Sequence, residues 1–96
     1  MTINILPSAK GDLADGFGFY EDKEEGLGNY FLESLFSDID SLKLYAGVHS
    51  KVFGFHRLLS KRFPYAVYYS LDPSEIRIRA VLDCRRDPAW IRDRLS

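Results

Sequence analysis

The chain has 96 residues, with 13 Lys and Arg against 14 Asp and Glu, for a formal net charge of −1. Hydrophobic residues make up 46% and charged residues 28%, the proportions of an ordinary globular protein. Seven Phe, six Tyr and one Trp can fill the core of one domain over residues 1–96 without a metal or disulfide, which excludes disorder, collagen and coiled coil.

In chain order, Thr2–Leu6 carries isoleucines at positions 3 and 5 and reads as a first strand closed by Pro7. Ser8 is placed to cap a helix whose apolar stripe is Leu13, Phe17 and Tyr20. Gly11, Gly16 and Gly18 weaken that helix by up to ~1 kcal/mol each, unless close packing requires them. Glu24-Glu25-Gly26 ends it. Leu27 to about Tyr45 gives the strongest helical pattern. Phe31, Leu35, Ile39 and Leu42 line one face, with Leu32 and Phe36 beside them and Glu33, Ser37, Asp38 and Asp40 off the stripe. These two helices make an αα-hairpin, and Ala46–Lys51 is a loop.

Strand character begins at Val52. Val52–Lys61 and Pro64–Leu71 are two strands separated by Arg62-Phe63-Pro64. After a turn at Asp72-Pro73-Ser74, Glu75–Arg85 alternates cleanly. Ile76, Ile78, Ala80, Leu82 and Cys84 are expected on one face; Arg77, Arg79, Val81, Asp83 and Arg85 on the other. Asp87 and Pro88 open a last short helix with Trp90, Ile91 and Leu95 facing inward. The order β-α-α-β-β-β-α predicts an α+β domain: an N-terminal strand and αα-hairpin packed on an antiparallel meander, with a short C-terminal helix.

The net charge hides a gradient. Residues 1–50 hold three lysines against nine acids, a net of −6; residues 51–96 hold ten basic residues against five acids, a net of +5. The lone Cys84 excludes an intramolecular disulfide and fits a reducing, cytoplasmic setting; it is expected to be buried and inert. Met1–Pro7 lacks the basic and apolar regions of a secretory leader. No run approaches the ~20 apolar residues of a membrane span. No Cys/His spacing suggests a metal site, and no cofactor motif is present.

Lys61-Arg62-Phe63-Pro64-Tyr65-Ala66-Val67-Tyr68-Tyr69, followed by Ala80-Val81-Leu82-Asp83-Cys84-Arg85-Arg86-Asp87-Pro88, resembles the RelE/ParE toxin superfamily of bacterial toxin–antitoxin modules. Gly26-Leu27-Gly28 and Phe31-Leu32-Glu33 match it as well. The resemblance implies a β-sheet crossed by a helical hairpin, and a cytoplasmic, plasmid-stabilising toxin that inhibits growth until a cognate antitoxin neutralises it. It also implies a toxin–antitoxin hetero-oligomer or a homo-oligomer. ParE-like members poison DNA gyrase; RelE-like members cleave mRNA on the ribosome. A non-toxic binding module on the same fold is a third reading.

A metal-free ribonuclease needs clustered cations and an acid–base group. Arg57, Lys61 and Arg85 with His56 are the candidates, and Tyr65, Tyr68 and Tyr69 are further proton carriers. Arg57 and Lys61 are four apart and expected on one strand face, with Arg85 on the face of Arg77 and Arg79. His49 falls in a loop with no chemical role. Target or antitoxin contact is expected at Arg57, Lys61, Arg62, Arg77, Arg79, Arg85, Arg86 and Trp90. The neutral total, and the absence after Arg86 of the functional tyrosine that the resemblance implies near the C-terminus of RelE-like members, favour the gyrase-directed reading over the nuclease.

Overall fold

The computed structural model describes residues 1–96. Its elements are β1 (Thr2–Ile5), α1 (Pro7–Glu21), α2 (Leu27–Asp40), α3 (Leu42–Tyr45), β2 (Lys51–Val52), β3 (Phe55–Leu59), β4 (Tyr65–Leu71), β5 (Glu75–Asp83) and α4 (Pro88–Leu95). The five strands form one sheet in the order β1-β5-β4-β3-β2. β1 runs parallel to β5 and the other pairings are antiparallel, so the sheet is mixed. The α+β class, the helical hairpin and the C-terminal helix are as expected. No helix is long and apolar enough to cross a membrane.

Leu6 precedes α1 and makes no side-chain cap, while Pro7 opens the helix. Ser8 does not cap it: its hydroxyl donates 2.8 Å to the Arg79 carbonyl and ties α1 to the sheet. The turn into α2 is held by Glu21, whose carboxylate accepts from the backbone N–H groups of Gly26 (3.1 Å) and Gly28 (2.9 Å). A carboxylate there also answers the positive end of the α2 dipole. Phe31, Leu35 and Ile39 are buried as the stripe required. Asp38 is buried too, contrary to its reading as an outward acid, and accepts from the Ser60 hydroxyl at 2.7 Å. The helix expected to reach Tyr45 is interrupted at Ser41.

The strand expected over Val52–Lys61 is instead a tight hairpin. Val52 pairs with Phe55 across Phe53 and Gly54, which have φ of 53° and 86°. Two left-handed residues give a turn whose twist matches the flanking strands. A phenylalanine rarely occupies such a position, so the sequence shows only half of the signal.

A register shift falls between Tyr68, paired with Ala80, and Tyr69, paired with Ile78, leaving Arg79 unopposed. This bulge reverses the alternation of β5. Ile76 and Ile78 face the hairpin, in a core with Leu13, Phe31, Leu35, Tyr65, Val67 and Tyr69. Beyond the bulge Val81 takes that face, while Ala80 and Leu82 join Ala66, Tyr68, Ile91 and Leu95 beneath α4. The single apolar face expected for β5 is therefore two half-faces, each serving a different core. β4 is buried throughout Tyr65–Tyr69 because both of its faces are covered.

Candidate functional site

Two turns meet at one end of the sheet. The Ser60–Pro64 turn follows β3, and the Cys84–Asp87 turn follows β5. The Cys84 N–H donates 2.8 Å to the Pro64 carbonyl and fixes one turn beside the other. Lys61, Arg62, Arg85 and Arg86 are thereby brought to one exposed rim. Lys61 lies beyond the end of β3 and not on the strand face expected for it. Arg57 is on β3, opposite Tyr68 and on the α4 side of the sheet.

The cations of the rim differ in availability. Arg85 donates through Nε (3.0 Å) and a terminal nitrogen (2.7 Å) to the two oxygens of Asp83. The Arg85 hydrogen bond, the largest influence, holds the Asp83 carboxyl below its usual range. Arg57, Lys61, Arg62 and Arg86 make no ion pair. Arg86 lies over the Trp90 ring, 4.2 Å from its centroid. Trp90 is 38% exposed, so it does not face inward with Ile91 and Leu95 as expected. A guanidinium stacked on a half-open indole presents both charge and apolar surface to a partner.

Arg77 and Arg79 do not join this rim. Arg77 donates 3.0 Å to Glu75, with Asp72 at 3.7 Å, at the opposite end of β5. Six residue steps of β5 separate it from Asp83, the partner of Arg85, roughly 20 Å. Arg85 lies in the turn beyond the end of β5 and not on the strand face shared with Arg77 that its spacing suggested. Arg79 is the bulge residue and is half-buried.

The ribonuclease candidates do not converge. His56 precedes Arg57 on β3 and points to the other face, where its ring stacks on Tyr69 with centroids 5.1 Å apart. Its Nδ1 donates 2.7 Å to the His49 carbonyl. Burial, above all, raises the pKa of Tyr65 to about 12 and raises Tyr68 and Tyr69 as well. These phenols therefore hold their protons at neutral pH and cannot serve as bases. Cys84 is exposed, not buried, because the strand ends at Asp83 before α4 can cover it.

Two features escaped the sequence. Asp12 on α1 accepts from the Val81 N–H at 3.0 Å and from the Arg94 guanidinium, so it clasps α4 to α1 and β5. Its pKa is raised, first by burial, against the opposing influence of these bonds. The partners are 82 residues apart, a separation that no local pattern reveals. A cleft of about 520 Å³ lies beside this clasp, lined by Asp12, Phe19, Tyr65, Arg86, Trp90 and Arg94. A second, almost wholly apolar groove of about 500 Å³ runs along the outside of the hairpin, past Ile5, Leu13, Phe17, Leu32 and Phe36. No group of His, Cys, Asp and Glu is arranged to hold a metal ion.

No protein-family model matches the sequence. No curated protein matches it either. Among solved structures, it is similar to a chain described as "Chromosomal ParDE TA system from P. aeruginosa". The TM-score is 0.76 at 19% sequence identity, covering 84% of this chain and 92% of that one. The mixed sheet, the crossing hairpin and the short last helix are thus the fold of that ParDE-system chain.

Proposed function

We propose that this chain is the toxin of a bacterial two-protein toxin–antitoxin pair, acting in the cytoplasm on DNA gyrase and held inactive by a cognate antitoxin. The observation that carries the reading is the likeness, over most of both chains, to a component of a ParDE system. The scatter of His56, Arg57, Lys61 and Arg85 over two sheet faces and a turn favours a binding toxin over an mRNA-cleaving one.

Two surfaces suit an antitoxin. The apolar hairpin groove fits one side of an amphipathic helix. The rim of Lys61, Arg62 and Arg86, with Trp90, fits acidic residues, and opposite charge speeds such an encounter. Target contact is assigned to the same rim, so an antitoxin covering it blocks the toxin directly.

The test is controlled expression in a bacterial host carrying a DNA-damage reporter, alone and with the neighbouring small open reading frame. Growth arrest with reporter induction, reversed by co-expression, supports the reading. Inhibition of gyrase supercoiling by the purified chain then confirms the target. Arrest with mRNA cuts at primer-extension resolution and no reporter signal assigns the chain to the ribonuclease class. Normal growth makes it a binding module.

A further inference from the structure

Tyr69 sits at the middle of a small relay that has no part in the surfaces above. Its side chain is fully buried on the hairpin face of β4. The Gly47 N–H donates 3.0 Å to its hydroxyl oxygen. The same oxygen lies 2.5 Å from His49 Nδ1, with the two rings edge to face. His56 packs flat on the other side of Tyr69 and uses its Nδ1 on the His49 carbonyl. Three elements therefore meet here: the Ala46–Ser50 loop, β3 and β4.

The donors and acceptors fix where the protons are. A carbonyl only accepts, so His56 carries its proton on Nδ1. The Tyr69 oxygen already accepts from Gly47, and its single O–H finds an acceptor only by donating to His49 Nδ1. That requires His49 neutral, with its own proton on Nε2. If His49 gains a second proton, Nδ1 turns from acceptor to donor and the buried Tyr69 O–H is left without an acceptor. No carboxylate lies within ion-pair distance of either imidazole to stabilise the cation. The charged or titratable neighbours are His56 from β3, Tyr69 from β4 and Lys51, which pairs with His56 from β2. None of them favours an imidazolium.

We propose that this relay is an acid-released clasp, in which protonation of His49 frees the Ala46–Ser50 loop and loosens the β2–β3 edge hairpin without unfolding the rest of the chain. Burial first, then His56, lowers the His49 pKa from its ordinary 6.5. A base whose value falls on closing is protonated more readily when open. The closed loop therefore has its full stability above pH 6.5 and loses it as pH falls below that value, toward the lowered one. The segment that comes free carries Val48 and adjoins Leu44 and Tyr45 at the end of α3, all exposed already. Release thus changes their mobility and not their burial.

Amide hydrogen exchange on the intact chain, corrected for intrinsic rates, tests this at about pH 7.5 and about pH 5.5. Protection of Gly47 is expected to fall at least ~3-fold on acidification, while Val67 and Val81 in the central strands stay unchanged. Tyr69→Phe keeps the ring and deletes the hydroxyl, so Gly47 should be weakly protected at both pH values. His49→Asn offers an amide oxygen near the position of Nδ1 and does not titrate; it should leave Gly47 protected at both. Equal protection of Gly47 at the two pH values in the unmodified chain overturns the proposal. So does a pH dependence that survives in His49→Asn.

Discussion

Gly16 of α1 lies against the Phe31 ring of α2, and its replacement by alanine gives the sharpest test of the packing. A Cβ there would lie 2.4 Å from Phe31 Cζ and 2.5 Å from Cε2. Phe31 cannot swing away. Its ring stacks with Tyr20 at 5.2 Å and meets Phe63 and Tyr65 edge-on at 5.2 and 4.9 Å. Gly11 and Gly18, on the same helix, have nothing within 4 Å of a Cβ. All three alanines gain the same ~0.5–1 kcal/mol of helix propensity. Only Gly16→Ala also meets an overpacking cost of about 1–3 kcal/mol. The net expectation is a loss of about 1 kcal/mol for Gly16→Ala and a gain of up to about 1 kcal/mol for Gly11→Ala. In a chain of this size that separates the two thermal midpoints by roughly 8–16 °C. Urea denaturation measures the same difference at constant temperature. Adding Phe31→Leu to Gly16→Ala should cost less than Phe31→Leu alone, because the smaller side chain removes the collision. Stabilisation of Gly16→Ala to the same degree as Gly11→Ala would refute the close approach.

Charge reversal separates rim from scaffold. Lys61→Glu, Arg62→Glu and Arg86→Glu together should slow antitoxin association about 10-fold or more at low salt, whereas Arg77→Glu, at the other end of β5, should not; stopped-flow association rates decide. Phe53→Asn places a better left-handed residue before Gly54 and, the ring being half exposed, should raise stability by about 0.5 kcal/mol; an unchanged or lower urea midpoint counts against the turn assignment. Tyr65 titrates near 10 when unfolded and at about 12 when folded. Its contribution is therefore complete below pH 10 and lost between pH 10 and about 12. Tyr65→Phe should show a shallower alkaline loss of stability than the unmodified chain, and parallel curves would remove the residue from the account.

The helices were legible because their apolar residues recur at a spacing that only one local structure satisfies. Phe31, Leu35 and Ile39 could be assigned inward without knowing what they touch. The alternation of β5 was equally clear and equally misleading beyond Arg79, since a bulge depends on the partner strand and leaves no mark in its own sequence. Trp90 was misplaced for a related reason: an eight-residue helix needs only Ile91 and Leu95 for its buried side, and the indole is left for Arg86. Among the candidate residues, sequence identified cations correctly as cations. It could not tell Arg77 and Arg85, already bound to carboxylates, from Lys61, Arg62 and Arg86. Asp12 and Arg94 carried no sequence signal because their pairing depends on the whole fold.

The one-residue offset in β5 also divides the chain's tolerance to change. Ile76 and Ile78 can vary only in step with the hairpin, and Ala80 and Leu82 only in step with α4, although all four alternate along a single strand. A deletion of Arg79 would restore perfect periodicity and leave every residue after it on its present side. Val81 would stay toward the hairpin and Ala80 and Leu82 toward α4. Loss of any paired residue of β5 would instead exchange one core for the other, so the irregular residue is the one position of the strand that can go without rebuilding either.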